Sequence, residues 1–293
     1  MLLALAMLWG GSFLFAEVAL EALSPLAVTA HRVTWSAVLL YVILRLKGLH
    51  LPKGATAWRG FFVMGLLNNA LPFSLIFWGQ THIEAGLAAI LNASTGVIGA
   101  VVAGVLLRDE PLSPNKLGGA VLGLCGVAIV IGPNALASLD PRSLGQMAVL
   151  GAALSYSLAS VWARKQLSGN PPLVNAFGML ATAAVIMVPG VLLVEGGSPM
   201  VLPLRIWGAL AGLSLLSTVV AFVLYFAILA RAGAANLLLV TLMIPPFAIS
   251  FGALFLGERL APTVYLGLAV IALGLLVSDG RILRRLSPRD RVH

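Results

Sequence analysis

The chain has 293 residues, 60% hydrophobic and 10% charged, with a mean hydropathy of +1.04. Soluble domains carry about 25% charged residues, which excludes a soluble globular enzyme, and disorder would need low hydrophobicity and high charge. What remains is a polytopic membrane protein. Its net charge of +8 points to nucleic acid only if the placement of the charges is ignored, and no nucleic-acid partner is expected.

Apolar runs broken by charge, Pro or Gly predict spans near 2–20, 25–44, 60–80, 86–107, 115–132, 144–163, 172–194, 206–229, 234–256 and 263–280. Each is about as long as a bilayer-crossing helix. Continuous apolar runs of this length must be helices, because lipid offers the backbone no hydrogen-bond partner. A β-barrel would show short alternating segments, which are absent. The first run lacks a basic n-region and has a counterpart in the second half, so it is read as a true span. The expected fold is an all-α membrane protein of ten transmembrane helices.

Lys and Arg collect on one side of these spans. That side takes Arg45, Lys47, Lys53, Arg59, Arg108, Lys116, Arg164, Lys165, Arg231 and the tail cluster Arg281–Arg291. Only Arg142, Arg205 and Arg259 fall on the other side, and Arg32 lies within the second span. Positive charge favours the cytoplasmic face, so both termini are expected to be cytoplasmic, with the tail near anionic headgroups. The lone Cys125 says little about the redox compartment.

A shift of 148 residues superimposes Gly104 on Gly252, Glu110 on Glu258, Leu112 on Leu260, Pro114 on Pro262, Gly126 on Gly274 and Gly132 on Gly280. A shift of 147 superimposes Ala6 on Ala153, Pro25 on Pro172 and Ala37 on Ala184. The chain is thus read as two copies: residues 1–133, residues 144–281, and a basic tail 282–293. Five spans per copy is an odd number, so the second copy enters the membrane from the opposite side. Inverted repeats of this kind are an architecture of secondary transporters, with a site between the halves.

The stretch from Gly86 through Glu110, Pro114, Gly119 and Gly126, its second copy from Ala234 through Pro245, Pro246, Glu258, Pro262 and Gly274, and the Trp9-Gly-Gly-Ser12 segment resemble the EamA type of the drug/metabolite transporter superfamily. Within that group the chain is similar to the bacterial YddG-type amino-acid exporters. The resemblance covers nearly the whole chain. It implies two inverted five-helix halves in a bacterial inner membrane and export of small metabolites. Two departures stand out: Ser94-Thr95-Gly96 occupies the place of Ile244-Pro245-Pro246, and the third span ends in Trp78-Gly-Gln80-Thr81-His82.

Polar groups inside a membrane are costly unless they face a cavity or one another. Asn92, Thr95, Gly96 and Gly99 share one helical face, and Ser214, Ser217, Thr218 and Tyr225 share another. For single Ser, Thr and Gly residues, close helix packing is the plainer explanation. The bulkier groups are the better candidates for a cavity. The candidate substrate-binding set is Trp9, Ser12, Asn69, Trp78, His82, Asn92, Thr95, Tyr156, Ser160, Ser217, Thr218 and Tyr225. Glu17 and Arg32 form a possible charge pair; binding a substrate carboxylate is the other role open to Arg32. Gly96, Gly99, Pro245 and Pro246 are candidate hinges or gates, since such residues let helices bend.

No acidic residue falls at the centre of a span, which favours facilitated movement over proton antiport. Only Glu17, His31 and His82 could carry a proton. No hydrolase elbow, P-loop or metal cluster is present, so neither catalysis, cofactor nor metal is expected. The expected function is export of aromatic or bulky neutral amino acids by alternating access. The alternatives are a multidrug or cationic-compound exporter, and a non-transporting receptor or scaffold. The expected partners are a small-molecule substrate and the lipid bilayer. The Gly119-x₃-Gly123 face of the fifth span would suit a weak homodimer, if the protein is not a monomer.

Overall fold

The computed structural model describes residues 1–107, 113–131, 141–167, 170–199, 201–225, 227–228 and 240–279. Glu110, Leu112, Gly132, Ala234, Gly280 and the Arg281–Arg291 tail lie outside the described residues. The regular elements among the described residues are all helices, with no strand. In chain order the helical segments are α1 (Leu2–Leu20), α2 (Pro25–Leu46), α3 (Ala55–Gln80), α4 (Ala85–Leu106) and α5 (Pro114–Ile131). They continue with α6 (Pro141–Gln166), α7 (Pro172–Glu195), α8 (Leu204–Tyr225), α9 (Val240–Phe251, extended by Gly252–Leu256) and α10 (Pro262–Asp279).

Seven of these, α1–α4 and α6–α8, are long and apolar enough to cross a bilayer; α5, α9 and α10 are apolar but shorter within the described residues. The protein is therefore a multi-span membrane protein. Proline starts α2, α5, α6, α7 and α10, because the first helical position needs no N–H donor. Ser24 adds a cap to α2, its Oγ accepting from Ala27 N at 3.1 Å. Gly196 and Gly257 follow α7 and α9 at φ +72° and +70°, left-handed turns that glycine adopts without strain.

The packing partners form a regular scheme. Helix α2 lies along α7, and α5 lies along α10. Helix α1 packs on α8 and α9, as α6 packs on α3 and α4; α3 packs on α7, as α8 packs on α2. Each of these contacts recurs when the first five helices and the last five are exchanged.

Glycine permits the closest crossings. A Cβ on Gly126 would lie 2.7 Å from the Ile271 nitrogen, and one on Gly274 would lie 2.6 Å from the Gly123 nitrogen. The Gly119–Gly123 face is thus filled by α10 of the same chain, and this corrects the expectation that it would serve a second copy. Tight backbone approach within the chain uses up this groove.

Two helices contain wider π-type turns: α3 at Leu66–Ala70 and α8 at Gly212–Val220. A third such segment, Gly252–Leu256, ends α9. Turns of this kind recur at functional sites because they turn side chains out of the regular helical register. Here they carry Asn69, Ser217 and Thr218.

Candidate functional site

Arg32 of α2 is 7% exposed. Its Nε donates to Thr218 Oγ1 on α8 at 3.1 Å, and Thr218 in turn donates to the Leu213 carbonyl at 2.8 Å. The guanidinium carbon sits 3.9 Å from the centre of the Phe73 ring on α3 and 5.8 Å from that of Phe77. A planar, weakly hydrated guanidinium suits such an aromatic face. Tyr156 of α6 lies within electrostatic range. Four helices thus converge on one buried cation.

The expected Glu17–Arg32 pair does not form. Glu17 Oε2 instead accepts from Gln80 Nε2 at 3.0 Å, and the same amide donates to the Phe13 carbonyl at 2.9 Å. The reason is depth as well as facing. Glu17 is three residues from the end of α1, whereas Arg32 is seven residues into α2. At 1.5 Å per residue they differ in level by about 6 Å. Glu17 also faces α3, and Arg32 faces α8.

Among the other predicted residues, the hydroxyls are mostly spent on backbone carbonyls. Ser12 donates to Trp9, Thr95 to Asn92, Ser160 to Ser157 and Ser217 to Leu8, all at 2.6–2.7 Å. Such bonds satisfy a hydroxyl in an apolar medium without making it a binding group. Ser160 is also exposed.

The amides behave differently. Asn69 is fully buried, and neither its nitrogen nor its oxygen has a partner; Asn92 Oδ1 is also buried and unpartnered. Buried polar groups are rarely left this way without a reason. Trp9 and Tyr225 meet at the α1–α8 seam with ring centres 6.0 Å apart.

Trp78 and His82 form a separate group at the end of α3. Their rings are 4.6 Å apart, and His82 Nδ1 lies 3.1 Å from the Trp78 carbonyl and 2.8 Å from Thr81 Oγ1. His31 sits on α2 with Nε2 3.0 Å from Ser198 Oγ, while its Nδ1 accepts from Trp35 Nε1 at 3.3 Å.

The candidate hinges occupy packed positions. Gly96 lies under Leu275 of α10 and Gly99 beside Ser157 of α6. The turn that interrupts α4 falls at Ser94, just before Thr95. Pro245 and Pro246 lie inside α9, where Gly10 lets α1 approach to the backbone at Ile244 and Ala248.

Two residues outside the candidate site set, Gln80 and Glu258, prove structurally prominent. Gln80 is the amide that holds Glu17; its signal was the unusual Trp78–His82 ending. Glu258 follows α9 and caps α4, accepting from Ala85 N at 2.7 Å and Gly86 N at 3.0 Å. A carboxylate at a helix N-terminus satisfies free N–H groups and the helix dipole together. Its signal was the repeated Glu-x₃-Pro. Nearby, Arg142 pairs with Glu84 at 3.1 Å and Arg205 with Glu21 at 2.6 Å. A groove of about 380 Å³ between α1, α8 and α9 is lined mainly by apolar groups such as Leu14, Val18 and Phe255, apart from the buried centre.

Three comparisons bear on this arrangement. The EamA-like transporter family matches residues 1–132 and again residues 143–278. The transporter YoaV of Bacillus subtilis is 24% identical over 286 residues, covering 97% of both chains. A Chlamydia trachomatis protein named as an S-adenosylmethionine/S-adenosylhomocysteine transporter is 26% identical over 280 residues, covering 92% of this chain and 85% of its own. A solved crystal structure shares the fold with a TM-score of 0.69 at 20% identity, covering 97% of this chain and 96% of its own.

Proposed function

Because the chain belongs to the EamA-like transporter family, we propose that it is a secondary exporter of small metabolites, in the first place amino acids with aromatic or bulky neutral side chains. On this reading ten spans form two inverted halves, residues 1–133 and 144–281, with both termini on the cytoplasmic side of a bacterial inner membrane. The exchange-symmetric packing of the first five and last five helices supports it, as does the placement of Lys and Arg. Substrate passes between the halves as they rock about a shared centre. Asn69, Asn92, Tyr156, Thr218, Tyr225 and Trp9 form the cavity wall, with Trp78 and His82 nearer its mouth.

The observation that carries the reading is the convergence of α2, α3, α6 and α8 on one buried arginine, together with the fully buried, unpartnered amide of Asn69 on α3. Helix packing alone explains small residues and back-bonded hydroxyls; it does not explain bare amides. The likeness to a transporter named for S-adenosylmethionine adds a second substrate, and that molecule carries an amino-acid end of its own. Movement by facilitated diffusion fits the absence of acidic residues from the centres of the described spans.

Purified protein in liposomes, offered a panel of labelled amino acids, S-adenosylmethionine and a cationic dye, tests the reading. Saturable, protein-dependent movement of amino acids is expected. Movement of the dye alone would reassign the protein as a multidrug exporter. Binding without movement under any gradient would make it a receptor, and a strong response to an imposed pH gradient would replace facilitation by proton coupling.

A further inference from the structure

An arginine cannot shed its charge in a protein, and it offers five N–H donors. Arg32 spends one of them on Thr218. Its Nη groups donate to no described group, and no carboxylate among the described residues pairs with it. The groups around it are Thr218, Tyr156, Phe73 and Phe77. All are neutral, so they orient the guanidinium without cancelling its charge. A buried cation of this kind is costly, and the cost falls when an anion arrives.

The site has further unspent capacity. Asn69 stands one turn before Phe73 on α3, completely buried, with both amide atoms unpartnered. A carboxylate offers two oxygens in one plane, which matches the guanidinium fork. An adjacent amide can donate to the same anion or accept from a neighbouring ammonium.

We propose that Arg32 is the receptor for the substrate's carboxylate, with Asn69 as a second polar contact and the Phe73 face holding the guanidinium in place. This deepens the transport reading and rests on it. It defines the substrate class as molecules with a free carboxylate on a compact amino-acid head, whatever the side chain. Amino acids and S-adenosylmethionine share that head, so one receptor accommodates both. Organic cations without a carboxylate are repelled by the same charge.

Binding in neutral detergent, with no lipid and no membrane to cross, tests the assignment separately from transport. Thermal unfolding of the purified protein is followed with L-phenylalanine, L-leucine, L-phenylalaninamide, phenethylamine, inorganic phosphate and phosphatidylglycerol. The amino acids are expected to raise the unfolding temperature, and the amide and the amine are not. In Arg32→Gln the half-saturating concentration for the amino acid is expected to rise about ten- to a hundredfold, the loss of one charged hydrogen-bond set. Arg32→Lys should recover part of the response.

Equal responses to phenylalanine and its amide would overturn the assignment. So would an undiminished response in Arg32→Gln, or a response confined to phosphate or phosphatidylglycerol. The comparison of acid with amide is made on the unaltered protein, so it decides even if a variant does not fold. If amino acids bind in detergent but none crosses a liposome membrane, the receptor stands and the transport reading falls.

Discussion

Helices α2 and α7 occupy matching places, yet their interiors differ in chemistry. The register that superimposes Pro25 on Pro172 and Ala37 on Ala184 also sets Thr29 against Ala176, Arg32 against Met179 and Ser36 against Ala183. The two helices pack along one another, and both Arg32 and Met179 are buried. One presents a cation to α3, α6 and α8; the other presents a thioether that accepts from Asn68 Nδ2 at 3.6 Å. Doubling a sequence doubles its backbone scaffold. The buried charge stands in one half only, where a second cation at the matching place would repel it.

Moving the charge to the other helix should have the largest effect. Met179→Arg places an unpaired cation where α7 crosses α3, with Gly65 packed against the Met179 carbonyl and no room for relaxation. A loss of roughly 3 kcal/mol or more is expected, seen as collapse of the monodisperse fraction on size-exclusion chromatography. The converse, Arg32→Met, makes the two helices alike. It removes a buried charge, so the unfolding temperature should hold or rise, while stabilisation by amino acids disappears. Stability kept and ligand response lost would be the signature of a site maintained for function.

Gly126→Leu probes the α5–α10 contact, which is far from the site. The added side chain meets backbone and Ile271 across the crossing, and a loss of about 1–3 kcal/mol by thermal unfolding is expected. The amino-acid response of the folded fraction should persist. The smallest effect should come from Glu258→Ala, which uncaps α4. Its loss is expected near 1 kcal/mol, with Glu258→Gln milder because an amide oxygen still accepts. Were Glu258→Ala to cost more than Gly126→Leu, the link between α9 and α4 would be a principal fastening and not a local cap.

Much of the candidate site was legible as composition and little of it as geometry. Asn69, Asn92, Tyr156 and Arg32 stand out because bulky polar groups are improbable in lipid. The fate of Glu17 did not, since helical spacing gives a residue's face and depth but not which helix stands opposite. Thr218 looked like one more small polar residue among Ser214 and Ser217, and its bond to Arg32 depends on wide turns in α8 that no periodicity announces. The interruption of α4 falls at Ser94, two residues before the candidate hinge Gly96, which packs against Leu275.

The sequence by itself determined where the helices lie, that the chain lives in a membrane, and that a pattern of Gly, Glu and Pro recurs after 148 residues. Each span must satisfy its own backbone, so apolar run length and proline placement suffice to locate it. Only the tertiary structure decided that no acid among the described residues pairs with Arg32, that Gln80 holds Glu17, that the glycine face of α5 is filled by α10, and that Glu258 reaches across to cap α4. These are contacts between segments far apart in the chain, set by helix depth, rotation and close approach, and each is decided only when all the neighbouring helices are in place.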